Sequence, residues 1–153
     1  MQNRLMILPV MLFTSHCYAQ VPIEIDALNF GDIPIESGSV CTLDNTGNIV
    51  GSCDASSPDI SLGRILVESL PKNTEMFISV AGSNSANLSL LVSGQVTAAS
   101  QTTTFTDGEQ IQIRSRGSNN TADILIGGEI RTLQTLTNGQ SYQIGYTVTI
   151  NIQ

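Results

Sequence analysis

The sequence predicts an all-β sandwich, and three observations carry that expectation. From Tyr142 to Gln153 the chain alternates strictly: Tyr142, Ile144, Tyr146, Val148, Ile150 and Ile152 are apolar, while Gln143, Gly145, Thr147, Thr149, Asn151 and Gln153 are small or polar. A period of two in β-branched and aromatic residues is the mark of a strand with one buried face. Shorter runs of the same kind recur along the chain, separated by Gly, Pro, Asn and Asp, a spacing that suits a sandwich. No segment has convincing helical periodicity, and no repeat or low-complexity linker divides the chain.

The first nineteen residues read as a leader. Arg4 gives a positive start, residues 5–13 are an almost unbroken apolar run, and Cys17-Tyr18-Ala19 places small residues at the outer positions of a cleavage site. This is the order of a secretory signal peptide, with a cut expected between Ala19 and Gln20. The apolar run is too short for a stable membrane-spanning helix, and Thr14-Ser15-His16 is a poor match to a lipoprotein signal before Cys17. The expected organisation is therefore a signal peptide over residues 1–19 and one β-sandwich domain over residues 20–153, exported to the periplasm, the cell surface or the medium, with no membrane insertion.

Export changes the available chemistry. The only histidine, His16, leaves with the leader, and the remaining chain has five basic against thirteen acidic residues, a net charge of −8. That charge speaks against nucleic acid or anionic membranes as partners, since their affinity comes from clustered Lys and Arg. About 134 residues remain, enough to bury roughly two thirds of the unfolded chain's surface.

The elements follow in order. Residues 20–25 alternate Val21, Ile23 and Ile25 against polar neighbours, and a second short strand over residues 28–35 is interrupted by Gly31 and Pro34. Cys41 and Cys53 flank Asp44-Asn45-Thr46-Gly47-Asn48, a turn of the kind that closes hairpins. An even pair of cysteines outside the cytoplasm reads as a disulfide. A three-residue loop centred on Gly47 puts the two cysteines face to face, with Cα atoms roughly 4.5–5.5 Å apart, within disulfide reach. A loop over residues 45–47 offsets them by about two residues, and both registers stand at this point. The bridge should stabilise the fold by about 2–3 kcal/mol.

Residues 62–68 form the next strand, Pro71 to Thr74 a proline turn, and residues 76–80 a further strand. Residues 81–87 are a small-residue loop, 88–92 a core strand, and 95–105 a Thr-rich exposed edge strand. Residues 111–114 alternate, 117–120 turn, and a strand over 124–133 runs through Gly127-Gly128, a pair that signals a bulge or a close backbone approach.

At this point the residues resemble a family. Ala27-Leu28-Asn29-Phe30-Gly31 with Gly38-Ser39-Val40, then Gly63-Arg64-Ile65-Leu66-Val67 with Met76-Phe77-Ile78-Ser79-Val80, look like the opening and middle of the bacterial domain of unknown function 4402. Ile124-Leu125-Ile126-Gly127-Gly128, Gly139-Gln140-Ser141-Tyr142 and Tyr146-Thr147-Val148-Thr149-Ile150 resemble its closing block. The likeness spans nearly the whole chain after the leader, on short motifs of common β residues. The cysteine pair is a departure from the family's pattern that leaves the fold expectation untouched. The resemblance implies an immunoglobulin-like antiparallel sandwich, akin to the pilin subunits of chaperone–usher systems, and no established activity.

An enzyme is not expected. Without histidine there is no Ser-His-Asp or Cys-His arrangement and no histidine-based metal site. No nucleophile-elbow or phosphate-loop motif is present, so no catalytic residue, metal ligand or cofactor site is assigned. Asp44 to Asn48 and Asp107-Gly108-Glu109 could offer oxygens to calcium, but neither has EF-hand spacing, and turn chemistry accounts for both. Arg114 and Arg116, two apart on a strand, read as a solvated edge.

Two functions of different class remain. In the first the protein is a structural subunit of a fimbrial or pilus-like assembly, joined by donor-strand complementation. Val21, Ile23 and Ile25 are then the candidate donor strand, and the terminal strand borders the receiving groove. Its partners are other copies or related subunits and, as assembly factors, a periplasmic chaperone and an usher. In the second it is a self-contained secreted module that binds protein or glycan through its loops; with no Trp, few aromatic platforms for sugar are available.

Overall fold

The computed structural model describes residues 3–13, 22–115 and 121–153. The expected turn at residues 117–120, with Arg116 beside it, falls outside them. Twelve strands make up the described secondary structure: β1 (Asn3–Phe13), β2 (Ile23–Asp26), β3 (Asp32–Ile33), β4 (Val40–Leu43), β5 (Ile49–Gly51), β6 (Gly63–Val67), β7 (Glu75–Gly82), β8 (Leu88–Ala98), β9 (Gln101–Thr106), β10 (Gln110–Arg114), β11 (Ala122–Thr132) and β12 (Tyr142–Ile152). They form two sheets with one apolar core between them. The protein is a single β-sandwich.

The first sheet runs β10-β7-β12-β1-β3. In the second, β11 is the axis. Its whole length pairs with β8, which pairs in turn with β9. Its other edge is shared end to end, by β6 over Ala122–Ile126 and by β4 over Gly128–Arg131, and these carry β2 and β5 outward. The two glycines sit where β6 gives way to β4. The ladder with β8 continues through them without a bulge. A Cβ on Gly127 would stand 2.3 Å from the Leu43 carbonyl oxygen, and one on Gly128 2.2 Å from that of Leu91. Of the two meanings such a pair can have, close backbone approach is the one realised.

Alternation translates directly into burial in the long strands. Ile144, Tyr146, Val148 and Ile150 of β12 are buried, Tyr142 and Ile152 half-buried at its ends. In β8, Leu88, Leu90 and Val92 enter the core while Leu91 faces out.

One strand expectation needs correcting. Residues 95–105 are not a single edge strand; β8 extends to Ala98, turns on Ala99 and Ser100, and returns as β9, with Ala98 opposite Gln101. Both turn residues have positive φ, 49° and 67°, as a two-residue hairpin turn that matches strand twist requires. Neither is Gly, Asn or Asp, so the turn carried no sequence signal. The edge character survives in β9, whose only ladder partner among the described residues is β8.

The disulfide joins Cys41 to Cys53, with Cα atoms 5.5 Å apart. Of the two registers, the offset one is found: Leu43 pairs with Ile49 and Cys41 with Gly51, so Cys53 lies two residues past the ladder position opposite Cys41. Gly51 makes this reachable. At φ 104° a Cβ there would stand 2.3 Å from the Val40 carbonyl oxygen; without one the chain stays close, Ser52 N–H donates to that same oxygen, and Cys53 closes on Cys41.

Candidate strand-acceptor site

The terminal strand occupies the middle of the first sheet rather than its edge. On one side β12 pairs antiparallel with β7, from Tyr146 opposite Gly82 to Ile152 opposite Met76. On the other it pairs with β1 in the parallel sense, from Leu5 opposite Tyr142 to Phe13 opposite Ile150. Beyond β1 stands β3, held by two pairs, Asn3 with Ile33 and Arg4 with Asp32. The segment lying against β12 is thus the stretch that the sequence marks as a leader.

The position it fills is an opening onto the core. Ile7, Pro9, Met11 and Phe13 stand at the ladder positions opposite Ile144, Tyr146, Val148 and Ile150, the four buried residues of β12. With β1 gone, the backbone N–H and C=O groups of β12 that face β1 over residues 142–150 would form an unpaired edge. A sheet edge in that state is a template for another strand.

The candidate donor residues are placed elsewhere. Val21 lies outside the described residues. Ile23 and Ile25 belong to β2, which pairs with β6 of its own chain at the edge of the second sheet. They are 44% and 46% exposed, so in this chain they fill no groove. Register is the reason: Ile23 stands opposite the half-buried, outward Leu66, whereas Glu24 stands opposite buried Ile65. Directly opposed residues share a face, and a one-residue shift exchanges faces. Glu24 therefore takes the sandwich side, where partial burial pushes its carboxyl pKa up, while Asp26, past a register shift, stands opposite outward Arg64. Leu28 and Phe30, just beyond β2, supply the core contacts instead.

Among the described residues of β12, Tyr146 carries a polar group into the heart of the site. Its ring is fully buried and its hydroxyl has no hydrogen-bond partner among the described residues. It reaches across the core to Gly63, where a Cβ would come within 3.2 Å of the hydroxyl oxygen. Burial, with the charge of Glu24 adding to it, pushes the phenol well above its ordinary range. Tyr142, at the strand's entry, has its hydroxyl oxygen accepting from the Thr137 N–H at 2.7 Å, which ties the preceding loop to β12.

The carboxylates considered for calcium are engaged in turns. Asp44 Oδ1 accepts from the Thr46 N–H at 2.8 Å, the Thr46 hydroxyl at 2.6 Å and the Asn48 N–H at 3.0 Å, and these bonds hold its pKa down at about 2. Asp107 Oδ1 accepts from the N–H of Gly82 at 2.6 Å and of Val92 at 3.0 Å, tying the corner after β9 to both β7 and β8. Glu109 Oε2 accepts from the N–H and hydroxyl of Thr106, each at 2.9 Å. Arg64 and Asp123 form a two-pronged ion pair on the outer face of the second sheet, Nη2 to Oδ2 at 2.6 Å. Among the described residues no helix is long and apolar enough to cross a membrane.

Sequence reasoning missed the pairing of residues 3–13, because a leader's apolar core has the same composition as a strand that pairs beside an apolar row. The partial signals were Pro9, which disfavours a helix through this run, and the fully apolar face that β12 offers. No protein-family model matches the chain, and no curated protein matches it.

Proposed function

We propose that this protein is an exported structural subunit of a fimbrial or pilus-like surface assembly, joined to its neighbours by donor-strand complementation. The observation that carries the reading is the place of β1. If the leader is removed between Ala19 and Gln20, the sandwich that leaves the cytoplasm lacks one strand beside β12, and completing it requires an extended apolar segment from outside. The N-terminal segment of another copy is the natural donor. Its Val21, Ile23 and Ile25 alternate as a groove-filling strand must, and the two described isoleucines spend their apolar side chains on solvent in their own chain. A periplasmic chaperone and an usher belong to this reading as assembly factors, and the disulfide fits an oxidising compartment. The resemblance to the domain of unknown function 4402 points the same way.

The test is an unboiled denaturing gel of material sheared from the native cell surface, probed for this chain. A ladder of detergent-resistant multimers that collapses on boiling is expected from intermolecular strand exchange. A single monomer band, with the chain free in periplasm or medium, would sink the reading in favour of a self-contained binding module. The triple variant Val21→Ser, Ile23→Ser, Ile25→Ser should lose the ladder while keeping the monomer folded, since the described positions are outside the core; an unchanged ladder would exclude this segment as donor.

A further inference from the structure

We infer that the leader is itself the first ligand of the acceptor site: before cleavage it completes the sandwich in cis, and the precursor is closed to partner strands until the cut is made. The inference rests on the acceptor reading above and assigns the leader a second task beside targeting.

Two features make β1 a matched occupant rather than a generic apolar stretch. Its unbroken run from Leu5 to Phe13 stands opposite residues 142–150 of β12 without a register shift, and Arg4, the leader's positive charge, stands directly opposite Asp32 of β3. Opposite charges at directly opposed ladder positions favour one register over its neighbours. Pro9 fits as well. It falls beyond the two residues that pair with β3, where β12 is the one ladder neighbour of β1 among the described residues, and proline is confined to such one-sided positions in sheets. The strand runs in the same direction as β12, so Phe13 stands at the Ile150 end of the slot.

Occupancy has a direct consequence. While β1 is bonded to β12, an incoming donor would have to displace a covalently tethered strand whose effective concentration is high. Cutting after Ala19 turns that competitor into a free peptide that dilution removes.

The experiment uses the full chain, purified with its leader, and the same material cut between Ala19 and Gln20 by signal peptidase. The uncut chain should stay monomeric at concentrations where the cut chain forms boiling-sensitive multimers, and its β1-facing amides over residues 144–150 should resist hydrogen exchange. A synthetic peptide of residues 3–13, in hundredfold excess over its Kd, should suppress multimers of the cut chain and raise its melting temperature by about 5–10 °C. A cut chain that stays monomeric with its leader fragment co-eluting supports the inference equally. In the full chain, Arg4→Glu should lower the melting temperature, and Arg4→Glu with Asp32→Arg should recover it. If the uncut chain multimerises as readily as the cut one, or the peptide neither blocks nor stabilises, the leader's role is overturned while strand acceptance stands. If the cut chain, freed of its leader, stays monomeric with the β1-facing amides of residues 144–150 still protected, the acceptor reading itself fails.

Discussion

Asp44 shows how much of a loop one carboxylate can organise. Three donors converge on its Oδ1, from Thr46 and Asn48, and together they lower its pKa from the ordinary 3.8 to about 2. The folded value lies below the unfolded one, so the carboxylate's contribution to stability is complete above about pH 4 and is lost as pH falls through about 2. A carbon-detected titration of Asp44 should find its midpoint near 2, with the Thr46 and Asn48 amides losing exchange protection over the same interval. In Asp44→Ala that acid-dependent step should vanish. Tyr146 presents the opposite case, a buried hydroxyl with no partner among the described residues. Removing an unpaired polar group costs nothing in lost bonds, so Tyr146→Phe should leave stability unchanged or raise it by up to about 1 kcal/mol in urea denaturation. A loss of more than about 1 kcal/mol would mean that the hydroxyl is bonded in the folded protein.

Among the elements, those that were legible carry their own periodicity. The alternation of residues 142–152 became a strand whose even positions are buried in the middle, and the cysteine hairpin formed around the Asp44–Asn48 turn. The β8–β9 hairpin was hidden because its turn depends on left-handed conformations at Ala99 and Ser100, which the ladder on either side imposes on residues that do not favour them. The double variant Ala99→Asn, Ser100→Gly supplies residues suited to those angles and should stabilise the protein by about 0.5–1 kcal/mol, read from denaturant midpoints at unchanged slope. For β2, the alternation was visible but its polarity was not. Which face Ile23 takes depends on a register set by pairing with Leu66, and a register is a property of two strands.

For the molecule as a whole, the central strand of the second sheet is where packing is least forgiving. β11 carries β8 on one edge and both β6 and β4 on the other, and Gly127 lets the Leu43 carbonyl come within 2.3 Å of where a Cβ would stand. Gly127→Ala should therefore cost more than about 2 kcal/mol, through displaced backbone at the junction of three strands. Chemical denaturation measures this, and a loss below about 0.5 kcal/mol would show that the junction yields. The sequence by itself determined the class of the fold, the disulfide pair and the buried row of β12, because each follows from local periodicity or from a short loop. Only the tertiary structure decided which segment lies beside that row, which face of β2 is buried and which of two hairpin registers the cysteines use. Those outcomes depend on contacts between residues far apart in the chain, where one apolar strand is as good as another until geometry selects its neighbour.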